Sequence, residues 1–367
     1  MPSSPVPVAR CRLLVLGSLL LATVAACSEP FPHEQLLADW TEEVILPLHG
    51  SLVEEVEKLR NATRSLAAEP SLETLNAARG AWKTTAVLWQ EVALYRFDRM
   101  LLAHNQVSKR PPDVEFLEET VTAAPETLTA ELVAGVGSLS KGLAAIEYLL
   151  FEPAGAEDWV EQAGEQPGRA AYVAAASEQL VTSAAAVRDR WLPEGGNYID
   201  TFLNGDSETD GFRRSLGKVL NRVVAVLEES VREQLGRPLA AGGESARPER
   251  VEAPRSATSL ALLRSRIAGI ERVLLAQEGD GLRLADYADH LDAEVDGTAL
   301  STLLRNRFGS SLAALDAIPE PLTRSVVEDP DLVRAAYDEL RELLVLIKVD
   351  LANQLGVTLT FNDNDGD

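Results

Sequence analysis

Apolar residues recur every three or four positions along almost the whole chain from His33 onward. That spacing stacks them on one face of a helix. Leu37, Trp40, Val44, Leu48, Leu52, Val56 and Leu59 form the first stripe. Pro47 interrupts it; proline lacks the N–H the ladder needs, so a kink is predicted there. Ser71 is placed to cap the next helix, whose apolar face carries Leu75, Ala78, Trp82, Ala86, Trp89 and Ala93. Further helices are predicted over 170–190, over 207–235 (Leu216, Val219, Val223, Val226) and over 258–277 (Leu260, Leu263, Ile267, Ile270). Asp329 is placed to cap the last helix with Pro330 in its first turn, Leu332, Ala336, Leu340 and Leu343 line its core face, and Gly356 marks its end. The fold class is therefore predicted to be all-α, built from helical bundles.

Three stretches break the pattern. Residues 108–126 carry Pro111, Pro112 and Pro125 and predict short helices and loops. Residues 154–168 carry Gly155, Gly164, Pro167 and Gly168 and suit a connection between domains. Residues 236–256 have prolines, glycines, mixed charges and little apolar content, and are expected to form a mobile, exposed loop.

The first 26 residues read as a lipoprotein signal peptide. Arg10 and Arg12 precede an apolar run over 13–24 that is too short for a mature membrane span. Val24-Ala25-Ala26-Cys27 resembles a bacterial lipobox, with Cys27 the lipidated residue and 27–32 a tether. This places the mature chain in the bacterial cell envelope, facing the periplasm. Ser28 after the cysteine favours the outer membrane.

Composition narrows the chemistry. The net charge of −23 opposes broad binding to nucleic acid. Both cysteines, Cys11 and Cys27, fall in the leader region, so the folded part holds no disulfide, thiolate metal site or thiol nucleophile. Only His33, His49, His104 and His290 are available as imidazole ligands, and none forms a His-Glu-x-x-His pattern. No serine-nucleophile constellation, P-loop or dinucleotide fingerprint is present.

One carboxylate stands out. Residues 142–151 read GLAAIEYLLF, apolar or small except for Glu147, which shares a helix face with Leu143 and Leu150. An ionised carboxylate there needs a cation or several donors. It either pairs with an arginine, such as Arg79 or Arg96, or serves as an oxygen ligand with Glu91 as the second carboxylate.

Gly142-Leu143-Ala144-Ala145-Ile146-Glu147-Tyr148-Leu149-Leu150 resembles the hallmark of the imelysin-like proteins, Gly-x-His-x-x-Glu followed by Tyr-Leu-Leu. Residues 78–97, with Trp89-Gln90-Glu91 and Tyr95-Arg96-Phe97, resemble that family's first signature block, though Asp98-Arg99 stands where the family has Gly-Pro. Residues 279–291 resemble a later block, and the tail, Leu355-Gly356-Val357 then Phe361 and Asp365-Gly366-Asp367, its C-terminal signature. The tail does not fit a calcium loop, because the chain ends before the twelfth position.

The resemblance implies two helical-bundle domains of similar design, here 33–160 and 161–367, with the motif near their junction. It also implies either a metal-dependent peptidase or an envelope protein of iron acquisition. The motif's histidine is Ala144 here, which supplies no ligand. Glu147 and Glu91 remain as candidate metal ligands, with His49 or His104 able to substitute in space. A catalytic zinc site wants three protein ligands and is poorly served. The reading is therefore a non-enzymatic, lipid-anchored protein that binds iron or an iron-bearing ligand or assists its uptake with an envelope partner. The alternatives are an imelysin-type metallopeptidase and a member retaining only a scaffold or partner-binding role.

Overall fold

A computed structural model describes Met1 and residues 30–205, 211–243 and 245–360. The predicted leader with Cys27, and the tail from Phe361, lie outside the described residues. The fold is all-α, apart from a two-residue hairpin in which Glu294–Val295 pairs with Thr298–Ala299. Among the described residues no helix is long and apolar enough to cross a membrane.

Helix α1 (His33–Asp39) runs through a π-helical turn, Trp40–Ile45, into α2 (Leu46–Ala68). At Pro47, where a kink is predicted, the structure has this π-helical turn just before the proline. A proline ring clashes with the carbonyl four residues back, and the wider turn just before it relieves the clash. α3 (Leu72–Val92) starts at Ser71, whose hydroxyl accepts from the Thr74 N–H in a capping box. Trp82 and Trp89 are both buried on its inner face. α4 (Leu101–Val107) leads into the proline-punctuated stretch, and α5 (Gly142–Phe151) follows. All ten residues of α5 are buried, so this helix has no wet face. Its first residue, Gly142, has φ +70°, and a Cβ there would lie 2.4 Å from the Val107 carbonyl oxygen.

α6 (Gly168–Asp189) packs against α2, α4 and α5. It follows the expected boundary at 160/161, yet it completes the layer formed by α2, α3 and α5. Small residues at Ala170, Ala176 and Ala184 are buried along it, which permits that close approach. α7 (Tyr198–Asn204) and α8 (Gly211–Glu229) come next, then α9 (Ser259–Leu274), α10 (Leu300–Asp316) and α11 (Pro330–Val345). α10 packs on α9 and α11, and α8 touches both α9 and α11. The two groups of helices meet where α9 lies against α3. Asp329 precedes α11 without a side-chain capping bond. Gly356, at φ +64°, ends the last helix as predicted, with the Val357 N–H returning to the Ala352 carbonyl.

The stretch 236–256 departs from expectation. Leu239, Ala240, Val251 and Ala253 are buried, and Ser256 is 2% exposed. The sequence predicts an exposed loop because the apolar residues there are few and have no helical period. Those few are turned inward by a chain that folds back on itself, including left-handed Ala253 and Ala257 on either side of Ser256.

Candidate functional site

Glu147 is buried in the middle of α5, with its side chain 3% exposed. Its partner is Arg110, whose Nη2 lies 2.7 Å from Oε2. The other oxygen, Oε1, accepts from the Ser256 hydroxyl at 2.8 Å and from the Ser256 N–H at 3.3 Å. Both oxygens of the carboxylate are thus engaged, one by a charge and one by two donors. Arg110 comes from the proline-rich stretch after α4, and Ser256 from the segment expected to be exposed.

Neither arginine proposed from sequence fills this role. Arg79 donates instead to the Leu150 carbonyl at 2.8 Å and the Pro153 carbonyl at 3.4 Å, with its guanidinium over the Phe151 ring. It therefore satisfies carbonyls at the C-terminal end of α5. Arg96 lines a neighbouring cavity and makes no ion pair with a described residue. Glu91, proposed as the second metal carboxylate, pairs with Arg272 at 3.0 Å and faces a separate groove with Ser51 and Ala261. Burial raises the pKa of Glu91, opposed by Arg272. Gly142 serves the backbone turn into α5, and Ala144 is fully buried.

The ion pair continues into a chain. Arg110 Nε lies 3.5 Å from Glu252 Oε1, and Arg266 Nη2 lies 3.4 Å from Glu252 Oε2 and 2.5 Å from Gln90 Oε1. The chain links α5, the loop after α4, the 240–258 segment, α9 and α3. Burial alone would lower the pKa of Arg110, but Glu147 and Glu252 raise it above its ordinary value.

Arg110, Gln90, Glu252 and Arg266 also line a cavity of about 150 Å³, together with Arg96, His104, Arg222 and Glu229. The first signature block (Gln90, Arg96) and the Glu147 motif, the latter through Arg110, are thereby brought to one place. His49 is not there: it is buried against Tyr95 and Trp191, and its Nδ1–H donates to the Ile45 carbonyl at 2.7 Å. Desolvation lowers its pKa to about 4. His104 does reach the cavity. Burial depresses its pKa far below the usual range, and His49, Arg96 and Arg222 add repulsion of positive charge.

This donor set does not fit a bare metal ion. Both oxygens of Glu147 are already engaged, Glu91 pairs with Arg272 instead, and a cation beside His104 would face the same arginines that disfavour its protonation. Among the described residues no group of three or more His, Cys, Asp or Glu side chains is placed to hold a metal.

Sequence reasoning missed Arg110, Ser256, Arg222 and Arg266. Two carried a signal. Arg222 sits three residues after Val219 and four before Val226, and Arg266 three after Leu263 and four before Ile270. Each is a charge on an apolar helix face, as Glu147 is. Arg110 and Ser256 lie in non-periodic segments and carried none.

The imelysin family model (Peptidase M75) matches residues 45–347. The chain is similar to Iron-regulated protein A of Synechococcus elongatus, 24% identical over 324 residues that cover 84% of this chain and 83% of the relative. Two crystal structures share the fold. An imelysin-like protein from Psychrobacter arcticum superposes with TM-score 0.72 at 19% identity, covering 90% of this chain and 97% of its own. A putative iron-regulated protein A precursor from Parabacteroides distasonis gives 0.73 at 16%, covering 89% and 96%.

Proposed function

The chain belongs to the imelysin family, and from that premise we propose that it is a non-enzymatic, lipid-anchored protein of the bacterial cell envelope serving an iron-related process. In this reading it does not ligate bare iron through Glu147. It handles an iron-bearing ligand or a partner of iron uptake instead. The relative named Iron-regulated protein A supplies the iron connection. The observation that argues against a metal on Glu147 is the engagement of both its oxygens by Arg110 and Ser256, and the lipid anchor rests on the lipobox-like Val24-Ala25-Ala26-Cys27. A metal on Glu147 would have to displace Arg110 or Ser256 from an oxygen, leaving Arg110 with only the longer contact to Glu252. The metallopeptidase alternative also asks for an open metal position with three protein ligands, and Ala144 provides none.

The test is calorimetry with ferric iron on the chain from Ser28, which contains the whole unit that begins at Pro32. Glu147→Gln is measured beside it, with its thermal stability. The expected result is no saturable iron binding that depends on Glu147, and a loss of stability in the variant. Saturable binding that Glu147→Gln abolishes while folding stays intact would restore the metal-site reading. Cys27→Ser is expected to shift the protein from the membrane to the soluble fraction. Deletion of the protein is expected to slow growth under iron limitation, with recovery on iron addition.

A further inference from the structure

The cavity beside Arg110 is positively charged inside a strongly negative protein. Arg96, Arg110, Arg222 and Arg266 line it against two acids, Glu229 and Glu252, and a third, Glu147, lies against Arg110, which leaves an excess of one positive charge. Arg110 and Arg266 are already committed in part to Glu147 and Glu252. The remaining donors are not. Arg266 is 7% exposed, and its Nη1 makes no hydrogen bond with a described residue. Arg222 donates from Nη2 to the Ala93 carbonyl at 3.0 Å, but its buried Nε has no such bond. His104, 2% exposed, bonds through neither ring nitrogen. Arg96 faces the same space with no ion pair to a described residue.

Buried guanidinium N–H groups without acceptors are costly, and two of them, Arg222 Nε and Arg266 Nη1, on residues lining one cavity call for an acceptor with several lone pairs. A planar, forked donor matches an oxyanion better than any single neutral group. The cavity of about 150 Å³ holds the equivalent of about five waters at about 30 Å³ each. That is room for a small tetrahedral anion with some of its hydration. The net charge of −23 opposes anions at long range, but that field is screened over about 8 Å at physiological salt. The local excess of guanidinium is felt only by an ion that has entered.

We propose that this cavity is a binding site for a small, multiply charged oxyanion of the phosphate class, held by Arg96, Arg222 and Arg266. Arg110 divides its donors between that site and Glu147, so the buried carboxylate positions a binding arginine. The proposal is independent of whether the protein meets iron. Its test uses phosphate without metal, so its outcome is separate from that of the iron titration.

The experiment is calorimetry of inorganic phosphate on the chain from Ser28 at low ionic strength, then at rising chloride. Saturable binding that weakens with salt is expected. Arg96→Gln removes a side chain with no ion pair to lose and is expected to fold normally. It should weaken phosphate binding by about tenfold or more. Arg222→Gln should do the same, while Arg232→Gln, on the exposed surface, should leave affinity unchanged. Absence of saturable phosphate binding in the parent chain would overturn the site. So would binding that survives both cavity variants, or a preference for acetate or citrate over phosphate.

Discussion

Arg110 reaches Glu147 across 2.7 Å and fastens a proline-flanked loop to the centre of a helix that has no exposed face. Glu147 cannot be hydrated there, so the helix tolerates its charge only through this partner and Ser256. Arg110→Ala is expected to destabilise the protein by about 3 kcal/mol, the low end for stranding a buried charge, because the arginine side chain is itself 26% exposed. The double change Arg110→Met with Glu147→Leu should cost less than either single truncation. Denaturant unfolding of the set checks both statements through the coupling energy.

Ser256 supplies the second half of the support. Ser256→Ala removes the hydroxyl donor to Oε1 while leaving its backbone N–H in place. A loss of about 1–3 kcal/mol is expected for a hydrogen bond to a buried carboxylate. Hydrogen exchange should speed up in 251–258 more than in α2. Uniform acceleration across the chain would argue that the segment and α5 are not coupled locally.

Gly142 has a steric role that any side chain would violate. Its backbone is left-handed, and a methyl group on its Cα would sit 2.4 Å from the Val107 carbonyl oxygen, which leaves no room for one. Gly142→Ala is expected to cost about 3 kcal/mol or more, combining the left-handed penalty with overpacking. A melting temperature equal to the parent's would contradict this.

His49 predicts the acid limb of stability. Its folded pKa, pushed down to about 4 by burial, lies below the ordinary 6.5. Between those values the unfolded chain binds a proton that the folded chain refuses. Stability is therefore unaffected by His49 above about pH 6.5, falls as pH drops below it, and levels off near pH 4. The drop from 6.5 to about 4 corresponds to about 3 kcal/mol from this residue. Replacing it with phenylalanine should make the fall in unfolding free energy less steep across that interval in urea titrations at stepped pH, leaving the part that buried His104 contributes. An unchanged slope would assign the acid limb to other groups.

Much of the fold was legible because helical periodicity is a local property. The stripes through α2, α3, α9 and α11, the cap at Ser71 and the stop at Gly356 follow from spacing and backbone sterics within a few residues. The same local logic marked Glu147 as a buried charge in need of a partner. Arg222 and Arg266 were legible by that rule too, since each breaks an apolar face.

Choosing the partner was beyond that logic. Arg79, Arg96 and Arg110 are chemically equivalent in a sequence, and which one meets Glu147 depends on where the chain after α4 lies against α5. The burial of Val251, Ala253 and Ser256 is likewise a long-range result, because a non-periodic segment carries no sign of which residues it turns inward. Sequence alone therefore determined the helices, the family motif and the existence of a buried carboxylate in need of a partner. Tertiary packing decided that it is answered by Arg110 and Ser256, and gathered four arginines from separate segments around one cavity. Helix formation is governed by neighbours along the chain, whereas electrostatic pairing is governed by neighbours in space.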